Sequence, residues 1–510
     1  MSRRLYGVGL GLVATLAGLA AGELIAGIFR AAASPVVPVG QGVIDRVPPS
    51  VKDWAIDTFG TADKAVLVLG TLFVLAVLGS LVGLLVVAGQ RALALGLTAV
   101  TGLIGVLAVL ERPDPSFVKM LPALTGTAVT VALLTWWSQP RGDGREVLAT
   151  EAGRRAFVLQ ASSVGLVGLM LAGLGRFLRR RFDIAGERAD VVLPPVAPPP
   201  VAALPAASDL PGAVAGAVEF GLADVTPFIV PAADFYRIDT AIVVPQVRRA
   251  DWRLRIHGRV DRELELTFDD LLARPQVERQ ITLSCVSNRV GGTLVGNAVW
   301  QGVLLAPLLA ECGLQPEATQ VVSRSIDGWT CGSPTAAIVD GRDALIAFGM
   351  NGEALPAEHG YPVRLVVPGL YGYVSATKWV TEIELTRWED FDAYWVPRGW
   401  AKKGPVKTMA RIDRTADGDI AGVAWAVHRG ISRVEVQFDD GEWRECELAG
   451  VPSDDTWRQW RYRWTDATPG EHSVRVRAYD GTGTVQPPGP KREAPDGAEG
   501  YHTVRFDLAA

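Results

Sequence analysis

The chain has 510 residues, a formal net charge of -5 at pH 7 and a hydrophobic fraction of 49%, with its apolar residues concentrated near the N-terminus. This length and asymmetry predict a membrane part followed by two or more soluble parts. The negative charge and the absence of a long basic stretch in the soluble half argue against a nucleic-acid partner, and the four cysteines form no CxxC pair typical of zinc knuckles or iron–sulfur clusters.

Apolar runs in the first part of the chain are long enough to cross a bilayer as helices. They are Leu5–Phe29, Ala65–Gly89, Ala92–Leu110, Val118–Trp137 and Ala156–Leu178. The first run follows two arginines and resembles a signal peptide, but it is long, lacks a clean cleavage site and precedes further spans, so we expect it to be retained. Residues 1–190 are therefore predicted to form a transmembrane domain of about five helices.

The orientation of these helices is not decided by counting positive charges, because arginines flank the last span on both sides. Directly ahead of that span, Arg154-Arg155-Ala156-Phe157 looks like an internal twin-arginine export signal, which serves proteins that are already folded. The alternative is an ordinary cytoplasmic arginine anchor. We expect a multi-pass protein of the cell membrane with its soluble half outside the cytoplasm.

Residues 191–211 follow the last span and contain the run LPPVAPPP at Leu193–Pro200. Such a composition is typical of a semi-rigid extended spacer rather than of packed structure. We expect this linker to separate the membrane domain from the soluble part that carries the catalytic residues.

Residues 212–404 mix short strand-like runs with helical stretches, which predicts an α+β domain. The strand-like runs include Trp252–Ile256 and Val363–Val367, and the helical stretches include Phe268–Leu272 and Leu304–Glu311. Beyond residue 405 the pattern changes to period-two alternation that ends in Asp-Gly turns, as in Val434–Gly441 and Val474–Gly481. Residues 405–510 are predicted to form a small antiparallel, immunoglobulin-like β-sandwich.

One cysteine lies where a site is expected, in the string ITLSCVSNRVGG at Ile281–Gly292. The string runs from a β-branched strand into a polar loop, so Cys285 stands at a strand end. The adjacent cation Arg289 is expected to lower the pKa of the thiol, which would favour the thiolate. Taken alone, the pattern also fits a buried structural cysteine.

The cysteine string and several later motifs, in order, resemble the sulfite oxidase family of molybdopterin-dependent oxidoreductases. The later motifs are GNAVWQGV at Gly296–Val303, Asp327–Trp329, AFGMNGEALP at Ala347–Pro356, HGYPVRLVVPG at His359–Gly369, and Lys378-Trp379. The resemblance covers roughly residues 225–400 and implies that Cys285 is both the protein ligand of molybdenum and a catalytic residue. The β-rich segment that follows looks like the dimerisation domain of that family, which implies a homodimer.

The resemblance further implies a set of residues that bind the molybdenum–molybdopterin cofactor. His359 and Arg364 match family positions that contact the cofactor, whereas hydroxyl, amide and cationic groups of the neighbouring loops suit a phosphate or pterin edge. Besides these two residues, the expected cofactor-binding residues are Tyr236, Asn288, Arg289, Ser375 and Lys378.

Arg237 matches the family arginine that binds an oxyanion substrate beside the metal, and its planar fork suits sulfite. One departure from the family concerns its active-site tyrosine, because our alignment places Trp400 closest to that position while Tyr394 is out of register. Trp400 is therefore the third expected catalytic residue, and the departure puts the identity of the substrate in question.

The function predicted from the resemblance is oxygen-atom transfer, with sulfite oxidation as the first candidate and reduction of a methionine-sulfoxide-type substrate as the alternative. A membrane scaffold with a degenerate cofactor domain is the alternative of another class. The five histidines all lie in the soluble half and no His-Pro-Gly-Gly loop is present, so no haem is predicted in this chain. Electrons are expected to pass to an external cytochrome or a quinone-linked subunit.

Overall fold

The computed structural model describes residues 2–48, 51, 54–55, 58–59, 62–137, 151–196 and 217–508. The chain divides into two compact units. The helical unit contains Met1–Asp183 and Thr240–Gln246, and the β-rich unit contains Ile184–Asp239 and Val247–Ala510.

The described part of the helical unit is built from long apolar helices and one shorter helix. These are α1 (Arg3–Ile28), α2 (Val36–Arg46), α3 (Asp63–Val87), α4 (Arg91–Leu110), α5 (Phe117–Trp137) and α6 (Glu151–Arg179). In length and composition, α1, α3, α4, α5 and the helical stretch that begins with α6 are long and apolar enough to cross a membrane. The prediction of apolar N-terminal helices is confirmed, with helix ends a few residues from the expected ones.

Glycines bring α1 against its neighbours at backbone distance. A Cβ atom added at Gly11 would lie 1.9 Å from the carbonyl oxygen of Gly79 in α3, and one added at Gly18 would lie 2.4 Å from that of Gly126 in α5. Because lipid supplies no hydrophobic driving force between helices, close approach at small residues is the usual basis of such packing. Side chains at these two positions are therefore excluded by the backbone of the neighbouring helices.

The short segment Thr240–Gln246 packs with the helical unit, although the sequence places it in the expected catalytic domain. Lys64 Nζ donates to the carbonyl of Ala241 at 2.7 Å, and Arg30 donates to the carbonyl of Gln246 at 3.1 Å. The side chain of Ile242 lies against Gly40 of α2. Pairing of this kind between distant residues has no signature in local sequence.

The first part of the β-rich unit contains two sheets flanked by short helices. Its strands are β1 (Arg253–Gly258), β2 (Leu264–Thr267), β3 (Val277–Ser284), β4 (Val295–Leu304), β5 (Gln320–Ser325), β6 (Thr330–Pro334), β7 (Leu345–Met350), β8 (Glu353–Ala354), β9 (Arg364–Val366) and β10 (Val380–Thr386). Its helices are α7 (Ala185–Ala189), α8 (Phe268–Leu272), α9 (Leu305–Cys312), α10 (Thr335–Val339) and α11 (Gly372–Ser375). One sheet has the order β2-β1-β10-β5-β6, and the other has the order β3-β4-β7-β8, with β9 paired to β7.

Residues 405–508 add two antiparallel four-stranded sheets. Their strands are β11 (Met409–Ala416), β12 (Asp419–Trp425), β13 (Ile431–Phe438), β14 (Trp443–Glu445), β15 (Glu447–Leu448), β16 (Arg458–Arg463), β17 (Gly470–Asp480) and β18 (His502–Leu508). The orders are β11-β12-β16-β15 and β14-β13-β17-β18, and alternate residues such as Val434 and Val436 are fully buried. The predicted β-sandwich, and with it the predicted fold class, is confirmed.

The expected spacer differs from the structure in its first residues. Val191 is buried in the core of the β-rich unit, and Gln301 Nε2 donates to the carbonyl of Pro194 at 2.7 Å. These residues are therefore packed rather than extended freely. The first segment of the helical unit ends at Asp183, whereas the expected boundary was residue 190. The rest of the expected spacer, residues 197–211, lies outside the described residues.

Candidate functional site

The cysteine loop, residues 285–294, joins β3 to β4 and carries Cys285 directly after the end of β3. The amide of Cys285 donates to the carbonyl of Leu294 at 2.9 Å, and Oδ1 of Asn288 accepts from the amide of Leu294 at 2.9 Å. Asn288 therefore closes the base of the loop with its side chain. Burial raises the pKa of the Cys285 thiol, while hydrogen bonds from Ser287 and the charge of Lys378 act in the opposite direction.

The expectation of a lowered pKa for this thiol is wrong, because burial raises the pKa of Cys285 above its ordinary value. Nε of Arg289 donates to Oε1 of Glu493 at 2.7 Å, and the side chain of Arg289 is 62% exposed. The cation that acts on the thiol is Lys378, which lies far along the sequence. Adjacency in sequence did not predict the direction in which the arginine points.

Phe235 and Tyr236 form one wall of the site beside the thiol. The ring of Phe235 stacks on that of Tyr236 at 5.2 Å and meets Trp300 edge to face at 5.8 Å. Burial raises the pKa of Tyr236, the Cys285 thiol acts in the same direction, and Arg364 opposes both. The Tyr236 hydroxyl therefore stays protonated and has the thiol and a guanidinium as electrostatic neighbours.

His359 and Arg364 are buried together, and each keeps one polar atom without a partner among the described residues. Nε2 of His359 lies 2.8 Å from the carbonyl of Ala232, whereas its Nδ1 and the Nε of Arg364 have no hydrogen bond there. Burial and the charge of Arg364 lower the pKa of His359 to about 4, so the ring is neutral. With its Nε2 proton donated to a carbonyl, the ring presents Nδ1 as an acceptor, while Arg364 presents Nε–H as a donor.

Arg364 is fixed from its other sides. Nη1 donates to the carbonyl of His359 at 3.0 Å, and the guanidinium lies over the Trp300 ring at 4.8 Å. Gly360 makes this close arrangement feasible, because its φ is +115° and an added Cβ would lie 3.0 Å from the Cβ of Arg364. Burial lowers the pKa of Arg364 to about 10, which still leaves it charged at neutral pH.

One carboxylate oxygen holds two cations at the edge of the site. Oδ2 of Asp239 accepts from Nε of Arg237 at 2.9 Å and from Nζ of Lys378 at 3.0 Å. Burial lowers the pKa of Lys378 to about 8, and Asp239 opposes that shift. The two terminal nitrogens of Arg237 make no hydrogen bond within the part of the chain that the structure describes, so the outer edge of its fork is available to an anion.

The chemistry of these donors fits a pterin cofactor bearing a metal. Within the described ranges, no group of three His, Cys, Asp or Glu residues could hold a metal ion by itself. A metal at the single thiol Cys285 would therefore need its other donors from a cofactor. A pterin ring with a phosphate tail offers both donors and acceptors, which the unpartnered atoms of His359 and Arg364 require.

Comparisons with known proteins agree with this geometry. The family model described as "Oxidoreductase molybdopterin binding domain" matches residues 241–395. The uncharacterized oxidoreductase YuiH of Bacillus subtilis is 35% identical over 153 residues, which cover 30% of this chain and 74% of that protein. This chain belongs to the sulfite oxidase family of molybdopterin-dependent oxidoreductases. The resemblance that the motifs predicted is therefore confirmed.

Other members of the sulfite oxidase family match a longer stretch. The mitochondrial sulfite oxidase of Rattus norvegicus is 28% identical over 300 residues, which cover 48% of this chain and 55% of that protein. The chain thus spans about half the length of the sulfite oxidases it matches. The crystal structure of the sulfane dehydrogenase SoxCD from Paracoccus pantotrophus aligns with a TM-score of 0.47 at 26% identity, covering 55% of this chain and 82% of that chain.

The structure brings some of the residues expected for a family member together and not others. Cys285, Tyr236, Arg237, His359, Arg364 and Lys378 form one electrostatic neighbourhood. The Ser375 hydroxyl is directed to its own backbone, with Leu370 and Tyr371 carbonyls at 3.0 Å. Trp400 packs against Tyr373 at 5.9 Å between ring centroids and against Trp395 at 6.1 Å.

Sequence reasoning missed two residues that orient this family site. Ser287 acts to lower the pKa of the Cys285 thiol, and Asp239 anchors both Arg237 and Lys378. A signal existed for Asp239, because residues two apart in an extended chain lie on the same side. Its link to Lys378 crosses 139 positions and depends on the fold.

Proposed function

We propose that this protein is a membrane-held oxidoreductase that oxidises sulfite by oxygen-atom transfer and passes the electrons to an external carrier. The observation that supports the proposal most is the juxtaposition of the Cys285 thiol, the free edge of Arg237 and the unpartnered atoms of His359 and Arg364. When bound, the molybdenum–molybdopterin cofactor would supply two-electron redox chemistry and the site of oxygen transfer. The protein supplies one thiolate, fixed polar groups and an anion-binding cation.

In this proposal the chain's own residues divide between holding the cofactor and receiving the substrate. Cys285 would bind the metal, and His359, Arg364, Tyr236 and Lys378 would bind the pterin and its phosphate. Asn288, Arg289 and Ser375 remain proposed contacts, but their side chains are also engaged with Leu294, Glu493 and the α11 backbone.

Arg237 would bind the sulfite oxyanion. Its Nε is held by Asp239, so the two terminal nitrogens keep a defined direction and can donate in parallel to two oxygens. Oxidation of sulfite with water to sulfate releases two electrons and two protons. The electrons would leave to a cytochrome or quinone-linked partner. Trp400 stays a proposed catalytic residue from the alignment, although its ring packs on Tyr373 and Trp395.

The substrate is tested with steady-state assays on the metal-loaded full chain, using sulfite and a neutral methyl sulfoxide in parallel and an artificial electron carrier. We expect sulfite to be oxidised and the sulfoxide to be a poor substrate, because the Arg237 guanidinium binds an anion more strongly than a neutral molecule. Turnover of the sulfoxide with reduced carrier, and none of sulfite, would replace sulfite oxidation by sulfoxide reduction. Metal-free protein from cells supplied with molybdate would support the scaffold hypothesis instead.

We further propose that the helical unit lies in the cell membrane, with the β-rich unit outside the cytoplasm. Arg154 and Arg155 lie in the first turns of α6, where Arg155 pairs with Glu151 at 2.8 Å. Protease added to intact, wall-stripped cells should cleave within residues 197–211 if the export hypothesis holds. Cleavage only after lysis would place the site in the cytoplasm.

The domain proposal assigns residues 212–404 to catalysis and residues 405–510 to dimerisation. It rests on the separate hydrophobic core of the sandwich, which contains Val434, Val474 and Trp460. Light scattering of the detergent-solubilised full chain should give the mass of two chains. A monomer at micromolar concentration would remove the dimerisation role.

A further inference from the structure

The C-terminal sandwich reaches the cysteine loop through three independent contacts. The first is buried: Nη1 of Arg411 in β11 donates to the carbonyl of Gly292 at 2.9 Å. Arg411 is 5% exposed, and its other nitrogens are held by Thr226 at 2.6 Å and by Asp413 at 2.5 Å. Because the guanidinium is fixed from several sides, it holds the loop carbonyl at a defined position.

The second contact is steric. Gly291 has a φ of +76°, and a Cβ added to it would lie 2.3 Å from Cδ2 of the His502 ring in β18. The ring itself is anchored, because Nδ1 of His502 accepts from the amide of Ile412 at 3.0 Å. The loop backbone thus lies directly against a side chain that the sandwich holds in place.

The third contact is the ion pair between Arg289 and Glu493, with 2.7 Å between Nε and Oε1. Glu493 is only 17% exposed, although its partner reaches into solvent. The three contacts fall on consecutive parts of the loop, at residues 289, 291 and 292, a few positions after Cys285.

We propose that Arg411, Glu493 and His502, here called the sandwich clamp, position the Cys285 thiolate by fixing the cysteine loop. The inference rests on the proposed function in taking Cys285 as the metal ligand. Its members are positioning residues, because they act on the thiolate through the loop and touch neither substrate nor cofactor. A metal–thiolate bond depends on the direction of the sulfur lone pairs. A mobile loop would therefore weaken that bond and widen the range of its angles.

The test uses full-chain protein with two clamp variants that should fold. Glu493→Gln removes one ion pair whose arginine is exposed, and His502→Asn keeps an acceptor for the amide of Ile412 but removes the ring edge from Gly291. The matched control is Glu447→Gln, which breaks the pair with Arg461 between β15 and β16 of the same sandwich. The first readout is alkylation of Cys285 in full chain from molybdate-starved cells, followed by mass spectrometry.

We expect Glu493→Gln to speed alkylation of Cys285 roughly threefold, the factor that follows from losing one ion pair with a solvent-exposed partner, and His502→Asn to speed it more. The buried thiols Cys312, Cys331 and Cys446 should keep their rates and serve as internal controls. Rates for both clamp variants equal to that of Glu447→Gln would overturn the proposal.

The second readout is the sulfur-to-molybdenum absorption band of the metal-loaded protein. It should shift or broaden in the clamp variants and not in the control, an effect that a loss of global stability alone would not produce. An unchanged band in both clamp variants would overturn positioning of the thiolate. Absence of the band from the wild-type holoprotein would instead contradict Cys285 as ligand, while the alkylation rates would still report on the clamp.

Discussion

The two units of this chain bury different kinds of groups. Among the described residues of the helical unit, the buried polar side chains are those of Thr98 and Thr130, and both donate to backbone carbonyls of their own helices. The β-rich unit buries the charged side chains of Arg364, Lys378 and Arg411. Burying a charge is costly unless it is paired or functional.

This difference indicates that the functional site lies in the β-rich unit. The helical unit packs at backbone distance where glycines of α1 face Gly79 and Gly126. In the β-rich unit, the buried cations Arg364 and Lys378 lie in the neighbourhood of the Cys285 thiol, and buried atoms of His359 and Arg364 have no hydrogen-bond partner among the described residues. This combination is typical of ligand sites.

Cys285→Ser should abolish oxygen-atom transfer while the chain stays folded, because a hydroxyl cannot replace a soft thiolate donor on molybdenum. Turnover per milligram and bound molybdenum are the measurements. Cys446→Ser in the sandwich core is the control and should retain activity per bound metal. Full turnover by metal-loaded Cys285→Ser would contradict the central role of this residue.

Gly11→Val should destabilise the helical unit by about 3 kcal/mol, because the added side chain would collide with the α3 backbone. The measurement is thermal unfolding of the detergent-solubilised protein. Gly96→Val in α4 is the matched control, since nothing lies within 4 Å of its Cβ position. Equal melting temperatures for the two variants would mean that the contact between α1 and α3 is not tight.

His359 should make the β-rich unit sensitive to acid. Its folded pKa of about 4 lies below the ordinary value of 6.5, so the unfolded chain binds the additional proton between these pH values. Stability therefore falls as the pH drops, by about 2 kcal/mol between pH 7 and pH 5. The measurement is thermal unfolding of the cofactor-free wild type and His359→Gln proteins in parallel across this pH range. The variant should lack the loss of stability that His359 causes. An identical pH dependence in both proteins would refute a neutral, buried His359.

Arg237→Lys should raise the KM for sulfite roughly tenfold, about 1.4 kcal/mol, because lysine keeps the charge but loses the planar fork. A neutral sulfoxide should be affected much less. The neighbouring variant Arg248→Lys, whose ion pair with Asp251 is exposed, controls for general charge effects. An unchanged KM for sulfite would remove Arg237 from the substrate site.

Local sequence patterns predicted much of the fold. Apolar runs predicted the ends of the membrane-length helices to within a few residues. The run Leu5–Phe29, for example, corresponds to the observed helix Arg3–Ile28. Period-two alternation identified the centres of β13 and β17. In β17 buried residues alternate with half-buried ones, whereas in β13 Glu435 is buried between Val434 and Val436. These features depend on the residues within one element.

The site required more than local patterns. The family resemblance named Cys285, His359 and Arg364, but no pattern predicted that Arg289 would turn to Glu493, 204 positions away. Nor did composition predict the packing of Val191 into the core, since a proline-rich run ordinarily favours extended chain. Such contacts follow from the tertiary fold, which brings together residues that local periodicity cannot connect.

The burial of the cysteines has a consequence for the compartments this chain can occupy. Cys312 and Cys331 are fully buried and Cys446 is 4% exposed, so three thiols are shielded from oxidants and from one another. A folded domain of this kind can pass from a reducing to an oxidising compartment without acquiring disulfides or sulfenic acids at these positions. Cys285 is also buried but is 9% exposed, the largest fraction of the four, so it is the thiol that oxidants in such a compartment would reach first.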